Sequence, residues 1–256
     1  MERKVHQDQP IKGLSFPQFE MERSTLINLL LLHKFEHKIN TEGIIVVHGI
    51  AGTGKTTLLR TLFSAYPSLV IGSPRPCYLD KANKISQVCL SCFPNTLCDI
   101  VDEYHLLKSF PEPKLAIFGD PCQCTYIERL RIPNYTSFRT HRFGKSTAAL
   151  LNKLFDLNIE SVKAQDDTVE YFDPFAVDPS EHISASEKEV LEFVGDQVET
   201  TSSEELAGLE FSEVTFYCTT LAGAVQENPA KTFISLTRHT SKLTIGELNA
   251  RSDSQS

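Results

Sequence analysis

Residues 49 to 56, Gly49-Ile50-Ala51-Gly52-Thr53-Gly54-Lys55-Thr56, form a glycine-punctuated octet that ends in a lysine and a hydroxyl. Glycines let a loop curl until successive backbone N–H groups face one anion, and a neighbouring lysine neutralises phosphate oxygens. Gly49, Gly52, Thr53, Gly54 and Thr57 would then cradle a triphosphate. Lys55 would meet its β and γ oxygens, and the Thr56 hydroxyl would ligate Mg2+. Such a pattern arises by chance in about one chain in a hundred of this length, so its setting decides. An apolar run, Ile44 to His48, precedes it, and a helical run, Thr57 to Phe63, follows. Further along, Leu97 to Val101 leads into Asp102 and Glu103. Paired carboxylates at a strand tip suit two roles: Asp102 holds a hydrated Mg2+, and Glu103 accepts a proton from attacking water. Gly119-Asp120-Pro121-Cys122-Gln123 follows the apolar run Leu115 to Phe118, and its turn directs Gln123 toward the same cleft, to sense a γ-phosphate or orient water. Arg142 and Arg238, each near an expected element end, either stabilise the charge of phosphoryl transfer or are surface arginines.

These groups need elements to position them. The short non-alternating apolar runs read as parallel strands covered on both faces, and helical stretches alternate with them, which predicts an α/β fold with a mainly parallel sheet. Ligands in such folds sit beyond the carboxyl ends of the strands, so three successive strand-end loops would deliver their groups to one sheet edge. Residues 1–20 read as a loose lead-in, and Ser24 as the N-cap of a helix over Thr25 to His37. A boundary is expected near residue 143. It divides the chain into a lead-in with helix (1–42), a first unit (43–143), a second unit (144–248) and a disordered tail (249–256). The second unit should hold helices at Lys145 to Phe155 and Glu187 to Val194, strands at Val214 to Cys218 and Thr232 to Leu236, and an acidic Pro-containing stretch up to His182.

At 256 residues, with 41% hydrophobic and 23% charged residues, the chain is long enough for a buried core and excludes collagenous, coiled-coil and largely disordered classes. A net charge of -8 does not advertise nucleic-acid binding, so a polyanion partner would need a local basic surface. Seven irregularly spaced cysteines point to a reducing compartment. Cys89-x-x-Cys92 has no second pair at finger-like spacing, so free thiols are expected rather than zinc. The early apolar stretch Leu26 to Leu32 is broken by Asn28 and is too short for a membrane span, which needs about 20 residues.

In order, GIAGTGKTT, VDEY, GDPCQ, THRFG, GLEFSEVTFY (Gly208 to Tyr217) and SLTRH resemble the motifs of superfamily 1 viral RNA helicases, and most closely those of the triple gene block movement proteins of potexviruses and carlaviruses. The likeness runs from about residue 43 to 245. It implies two RecA-like P-loop NTPase domains, ATP or another NTP with Mg2+ as cofactors, and NTP hydrolase activity coupled to RNA. It also implies that Lys55 and Thr56 bind nucleotide, Asp102 and Glu103 are the metal and base carboxylates, Gln123 is the γ-phosphate sensor, and Arg142 and Arg238 are the two motif arginines. Implied partners are single-stranded viral RNA, other viral movement proteins, coat protein, host silencing and plasmodesmal factors, and further copies of the chain. The implied setting is the host cytoplasm and plasmodesmata, with RNA transport between cells and suppression of RNA silencing. One departure concerns coupling: many superfamily 1 helicases carry Gln where this chain has Ala207. Ser73-Pro74-Arg75 stands at the place of the first RNA-contacting motif, either touching phosphates or simply turning.

Overall fold

The first half of the chain builds one sheet around the strand that feeds the glycine loop. The computed structural model describes residues 16–74, 86–174, 182–195 and 199–249. In chain order the first half contains α1 (Phe16–Leu32), β1 (Glu36–His37), β2 (Ile45–Gly49), α2 (Lys55–Ala65), β3 (Val70–Ser73), β4 (Ser86–Cys89), β5 (Ile100–Val101), β6 (Ala116–Gly119) and β7 (Tyr135–Ser137). Their sheet order is β1-β7-β2-β6-β5-β3-β4. Only the β1–β7 pair is antiparallel among the described pairings. Residues of β2 are buried throughout, as expected of a strand covered on both faces.

The α1 helix begins eight residues before the expected N-cap, so Ser24 lies inside it. Leu26 and Leu30 are fully buried and Phe19 packs beside them, so one apolar stripe carries the helix upstream. It also stops five residues short of His37. Lys34 turns left-handed (φ 62°), Phe35 N–H donates to Leu30 O at 2.9 Å, and Lys34 N–H donates to Leu31 O at 3.0 Å. This is a Schellman ending, and Phe35 and Leu30 supply the hydrophobic contact that accompanies it. Leu58, Leu59, Leu62 and Phe63 of α2 complete the same core.

The second half contains β8 (Arg139–Thr140), α3 (Lys145–Phe155), β9 (Glu160–Ser161), β10 (Thr168–Phe172), β11 (Ile183–Ala185), α4 (Lys188–Gly195), α5 (Ser203–Leu206), β12 (Phe211–Cys218), α6 (Leu221–Glu227), α7 (Pro229–Leu236) and β13 (His239–Glu247). A four-stranded, all-parallel sheet has the order β10-β13-β12-β11, and β8 pairs with β9 beside it. Thr232 to Leu236, expected as a strand, is the end of α7. A continuous apolar run suits a buried strand or a buried helix equally. Pro229 in the first helical turn decides for helix, and Ala230, Thr232, Phe233, Ile234, Ser235 and Leu236 are all buried, so the helix is enclosed nearly all round. The acidic, Pro-containing stretch before His182 contains β9 and β10. Asn249, assigned to the tail, donates its N–H to Thr219 O at 3.2 Å; residues 250–256 lie outside the described residues.

One hydrophobic core joins the two halves. Ile50 and Ala51 of the glycine loop pack with Phe143 and Leu151, with Phe216 of β12, with Phe233 and Leu236 of α7, and with Ile245 of β13. The glycine-loop geometry is therefore fixed from both sheets at once.

Candidate nucleotide site

The cradle begins where β2 ends. Gly52 (φ 80°) and Gly54 (φ 85°) both adopt the left-handed conformation, which lets the loop wrap before α2 starts. At Gly52 closeness adds to conformation: a Cβ there would lie 2.5 Å from Thr140 Oγ1 and 2.7 Å from Arg142 Cβ. The contact is reinforced by bonding, since Thr140 Oγ1 donates to Ala51 O at 3.0 Å and His141 N–H donates to Gly52 O at 2.9 Å. The Lys55 ammonium donates to Gly49 O at 2.5 Å and to Ile50 O at 3.2 Å, curling back over its own loop. Thr53, expected among the nucleotide-binding residues, is buried and gives its hydroxyl to Ile50 O at 3.1 Å, so its side chain braces the loop from inside. Thr56 is half-buried and Thr57 exposed, both in the first turn of α2.

Asp102 and Glu103 follow β5, which is only Ile100–Val101 rather than the five residues expected. Leu97 is 70% exposed, and Asp99 interrupts the strand by accepting the Val70 N–H at 2.8 Å. Asp102 is buried; its N–H donates to Gly72 O at 2.8 Å and its Oδ1 accepts the Glu103 N–H at 2.9 Å. Glu103 is left-handed (φ 53°), a conformation that a β-carbon makes costly, so the turn aiming its carboxylate is strained. After β6, Asp120 is fully buried and organises its own turn: Oδ1 accepts the Cys122 N–H at 2.9 Å, and Oδ2 accepts from Gln123 Nε2 at 2.5 Å. Gln123 is at the strand-end position expected of it, with its amide nitrogen held by Asp120.

Both arginines reach this region. Arg142 donates through Nε (2.9 Å) and Nη2 (2.6 Å) to Glu210 Oε1, and through Nη1 to Thr237 O at 3.2 Å. Arg238 is 1% exposed at the α7–β13 junction, where Nε donates to Ile234 O at 3.0 Å and Nη2 to Thr237 Oγ1 at 3.0 Å. Burial, then the Arg142 charge, lowers its pKa to about 9, against the opposing pull of Glu103, Asp120 and Glu210. It stays charged at neutral pH. Its guanidinium thus feels the carboxylates of both strand tips. A surface position is excluded for Arg238.

Several participants are not obvious from the motifs. Glu210 is the acid of the GLEF segment and the ion-pair partner of Arg142. Asp167 anchors the start of α3 by accepting the Gly144 N–H (2.8 Å) and Thr147 N–H (3.2 Å), and it meets His239 Nε2 at 3.0 Å. Burial would raise its pKa, but the hydrogen bonds from His239, Thr147 and Gly144 outweigh this and hold it well below the usual carboxylate range. His48 meets the Tyr104 hydroxyl at 2.7 Å. Burial, His105 and Lys55 bring its pKa down to about 4, so it is neutral. His33 packs over Gly54, with Nδ1 3.3 Å from where a Cβ would stand; burial and then His141 lower its pKa. A chain-distant residue such as His33 carries no spacing signal. Arg75 lies outside the described residues.

The residues fit a magnesium nucleotide. Two left-handed glycines, a helix start, Lys55 and the Thr56 hydroxyl form an oxygen-rich, anion-seeking cradle, and Asp102 supplies the hard carboxylate that Mg2+ prefers. Among the described residues no cluster of three His, Cys, Asp or Glu side chains could hold a transition metal, and no helix is long and apolar enough to cross a membrane.

Residues 45–246 match the viral superfamily 1 RNA helicase core domain. The chain is 35% identical over 207 residues to the movement and silencing protein TGBp1 of Narcissus mosaic virus, covering 80% of this chain and 87% of that one. Against the protein of the same name from White clover mosaic virus (strain O) it is 35% identical over 211 residues, covering 78% and 86%. Among solved structures, an arterivirus nonstructural protein 10 (helicase) superposes with a TM-score of 0.62 at 14% identity, over 89% of this chain but only 62% of that one. The PRRSV helicase gives 0.53 at 13% identity, over 89% and 55%. These likenesses establish the α/β P-loop fold.

Proposed function

Because the chain belongs to the viral superfamily 1 RNA helicase family, among the triple gene block movement and silencing proteins, we propose that it is a Mg2+-dependent nucleoside triphosphatase that acts on single-stranded viral RNA during cell-to-cell movement. One observation supports this reading: Arg142 lies against Gly52 of the glycine loop, and the charges of Glu103 and Asp120 act on the buried Arg238. The two sheets are read as two RecA-like halves, 43–143 and 144–248, with the nucleotide between them.

In this mechanism the loop amides and Lys55 bind and orient the β and γ phosphates, with Lys55 leaving its carbonyl partners for phosphate oxygens. Thr56 and Asp102 would hold Mg2+, which would supply charge neutralisation when bound. Gln123 orients the attacking water, and Glu103 accepts its proton at a carboxylate oxygen. Arg142 and Arg238 stabilise charge spreading over the transferring phosphoryl group, an effect of about 10³ to 10⁵ in rate for such arginines. Gln123 starts on Asp120 and Arg142 on Glu210, contacts that each would exchange on acting.

Roles in movement and silencing follow from what the relatives are called; transport of RNA through plasmodesmata, residence in the host cytoplasm, self-association, and contacts with other movement proteins, coat protein and host factors are implied by the family resemblance and are part of this proposal. A second reading is supported by Ala207, a buried apolar residue where coupling to RNA would call for a polar one. On it, the chain is an RNA- and protein-binding scaffold whose nucleotide site switches assembly without unwinding. ATP hydrolysis by wild type and Lys55→Ala, with and without single-stranded RNA, tests the first reading; turnover surviving in Lys55→Ala at the wild-type rate refutes it. Strand displacement on a short duplex separates the two.

A further inference from the structure

Away from the nucleotide site, β4 forms an outer edge of the first sheet and ends at Cys89. The chain then turns tightly: the N–H groups of Cys92 and Phe93 both donate to Cys89 O, at 3.2 and 2.9 Å. That turn brings Cys89 Sγ and Cys92 Sγ to 3.2 Å, with Cys92 exposed and Cys89 half-buried. We propose that Cys89 and Cys92 are a thiol–disulfide modification site, a dithiol that closes reversibly to an intramolecular disulfide under a peroxide or a disulfide oxidant.

Three observations carry this. Sulfur atoms at 3.2 Å need only small side-chain rotations to reach bonding distance, about 2.0 Å, because the backbone turn already holds them together. The remaining described thiols have no sulfur partner. Cys98, Cys124 and Cys218 are buried and Cys122 is half-buried. Burial raises the pKa of all four, to about 11 at Cys98, and so suppresses the thiolate that attacks oxidants. Within the Cys89–Cys92 pair, the Cys89 thiol raises the Cys92 pKa through their hydrogen bond, as two sulfurs in direct contact do. Finally, the turn is tied to the end of β3. Ser91 Oγ donates to Pro74 O at 2.7 Å, Cys89 Sγ donates to the same oxygen at 3.7 Å, and Leu90 N–H donates to Ser73 O at 2.8 Å. Oxidation consumes the Cys89 S–H donor and leaves Ser91, among the described residues, as the side chain that holds Pro74 O.

With hydrogen peroxide the chemistry balances in two steps. One thiolate attacks a peroxide oxygen, the O–O bond breaks, and a sulfenic acid forms as the leaving hydroxide takes up a proton to become water. The second thiol attacks the sulfenyl sulfur, the S–S bond forms, and the hydroxyl leaves with the thiol proton as a second water. With a disulfide oxidant such as oxidised glutathione, two exchange steps transfer the same two electrons and release two thiols.

The test uses the full chain, fully reduced, then equilibrated in glutathione buffers of increasing oxidised fraction or treated with stoichiometric peroxide, alkylated, and mapped by mass spectrometry. The expected result is a monomeric chain two hydrogens lighter, with a Cys89–Cys92 crosslink forming before any other cysteine reacts and reversed by dithiothreitol. A Cys77→Ser chain should behave identically, while Cys89→Ser and Cys92→Ser should each abolish the crosslink and keep the wild-type circular dichroism spectrum. Any of four outcomes overturns the proposal: a pair that stays reduced at the most oxidising glutathione ratio, a crosslink through Cys77, an intermolecular disulfide, or irreversible sulfinic acid as the first product. None of these bears on the nucleotide reading.

Discussion

Gly52→Ala and Gly54→Ala make a matched pair whose costs should differ, because the two glycines share a conformation and differ in what surrounds them. At φ 80° and 85° an added Cβ is strained at both positions, and the left-handed region costs a non-glycine residue about 1 to 2 kcal/mol. For Gly54 little is added: the nearest atom is the ring of His33 at 3.3 Å, a half-buried side chain that can turn aside. For Gly52 the new methyl would stand 2.5 Å from Thr140 Oγ1, 2.7 Å from Arg142 Cβ and 3.0 Å from the Arg142 backbone nitrogen. Backbone cannot turn aside, so the Thr140–Arg142 segment must shift, at an overpacking cost of about 1 to 3 kcal/mol. The shift also weakens the bonds from Thr140 Oγ1 to Ala51 O and from His141 N–H to Gly52 O, each worth about 1 kcal/mol. Gly52→Ala should therefore lie about 2 kcal/mol below Gly54→Ala, or roughly 4 to 8 °C in Tm for a chain of this size. Urea and thermal unfolding without nucleotide measure this directly. Adding Thr140→Ala to Gly52→Ala should recover part of the loss, since it removes the closest clash but not the backbone one, and a double-mutant cycle isolates that recovery. Equal costs at the two glycines, or no recovery on adding Thr140→Ala, would refute the claim that the Thr140–Arg142 segment is seated on the cradle.

Asp167→Ala should cost about 3 to 5 kcal/mol, because it strips the acceptor from the Gly144 and Thr147 amides and from His239 in a buried setting; a loss below 1 kcal/mol in urea denaturation would contradict it. Glu210→Ala should change stability by no more than about 1 kcal/mol, since Glu210 is half-exposed. It should tighten binding of a fluorescent nucleotide by freeing Arg142, whereas Arg142→Ala should weaken it; weaker binding in a well-folded Glu210→Ala chain would show that the carboxylate does not compete. Acid should destabilise the fold through His48, whose pKa falls from near 6.5 in the unfolded chain to about 4. The neutral ring's contribution, at most about 3 kcal/mol, is complete above pH 6.5 or so and is lost as pH falls toward 4, because the unfolded chain binds the proton first. A His48→Gln chain should show a shallower dependence of unfolding free energy over that window, and an unchanged slope would rule His48 out as the source.

Legibility in the sequence followed the range of the interactions involved. The cradle and the strand-tip acids could be read because their geometry is local: glycines, lysine and hydroxyl lie within eight residues, and one short strand fixes where they point. The α3 helix could be read to its ends because its amphipathic pattern and Gly144 agree. Thr232 to Leu236 could not, since a segment buried on all sides loses the periodicity that separates helix from strand. The nine-residue strand β13 was missed for a different reason. Its Lys242, Thr244 and flanking polar residues alternate with Leu243 and Ile245, but its partners β10 and β12 are distant in sequence, so nothing nearby announces a sheet. Glu210 and Asp167 were illegible for the same cause: their partners stand 68 and 72 residues away. An acidic residue in isolation looks solvated whether or not an arginine or histidine waits for it in the fold.

The side chains expected to act on a triphosphate are already engaged within the protein. Lys55 sits on Gly49 and Ile50 carbonyls, Gln123 on Asp120, and Arg142 on Glu210. A phosphate must exchange these contacts rather than simply add to them, so the affinity it gains is a difference between two sets of charge-assisted bonds. The exchange is not equally easy at each group. Lys55 gives up neutral carbonyls for anionic oxygens, which favours the phosphate, whereas Arg142 must leave a carboxylate that is itself anionic. Arg238, buried and bonded only to a backbone carbonyl and a hydroxyl, keeps its charge uncompensated by any direct ion pair in the described structure. A buried guanidinium of that kind is costly until an anion reaches it. On the proposed nucleotide reading, the larger share of phosphate recruitment would fall to Lys55 and Arg238, and release of Arg142 from Glu210 would set when the site is complete.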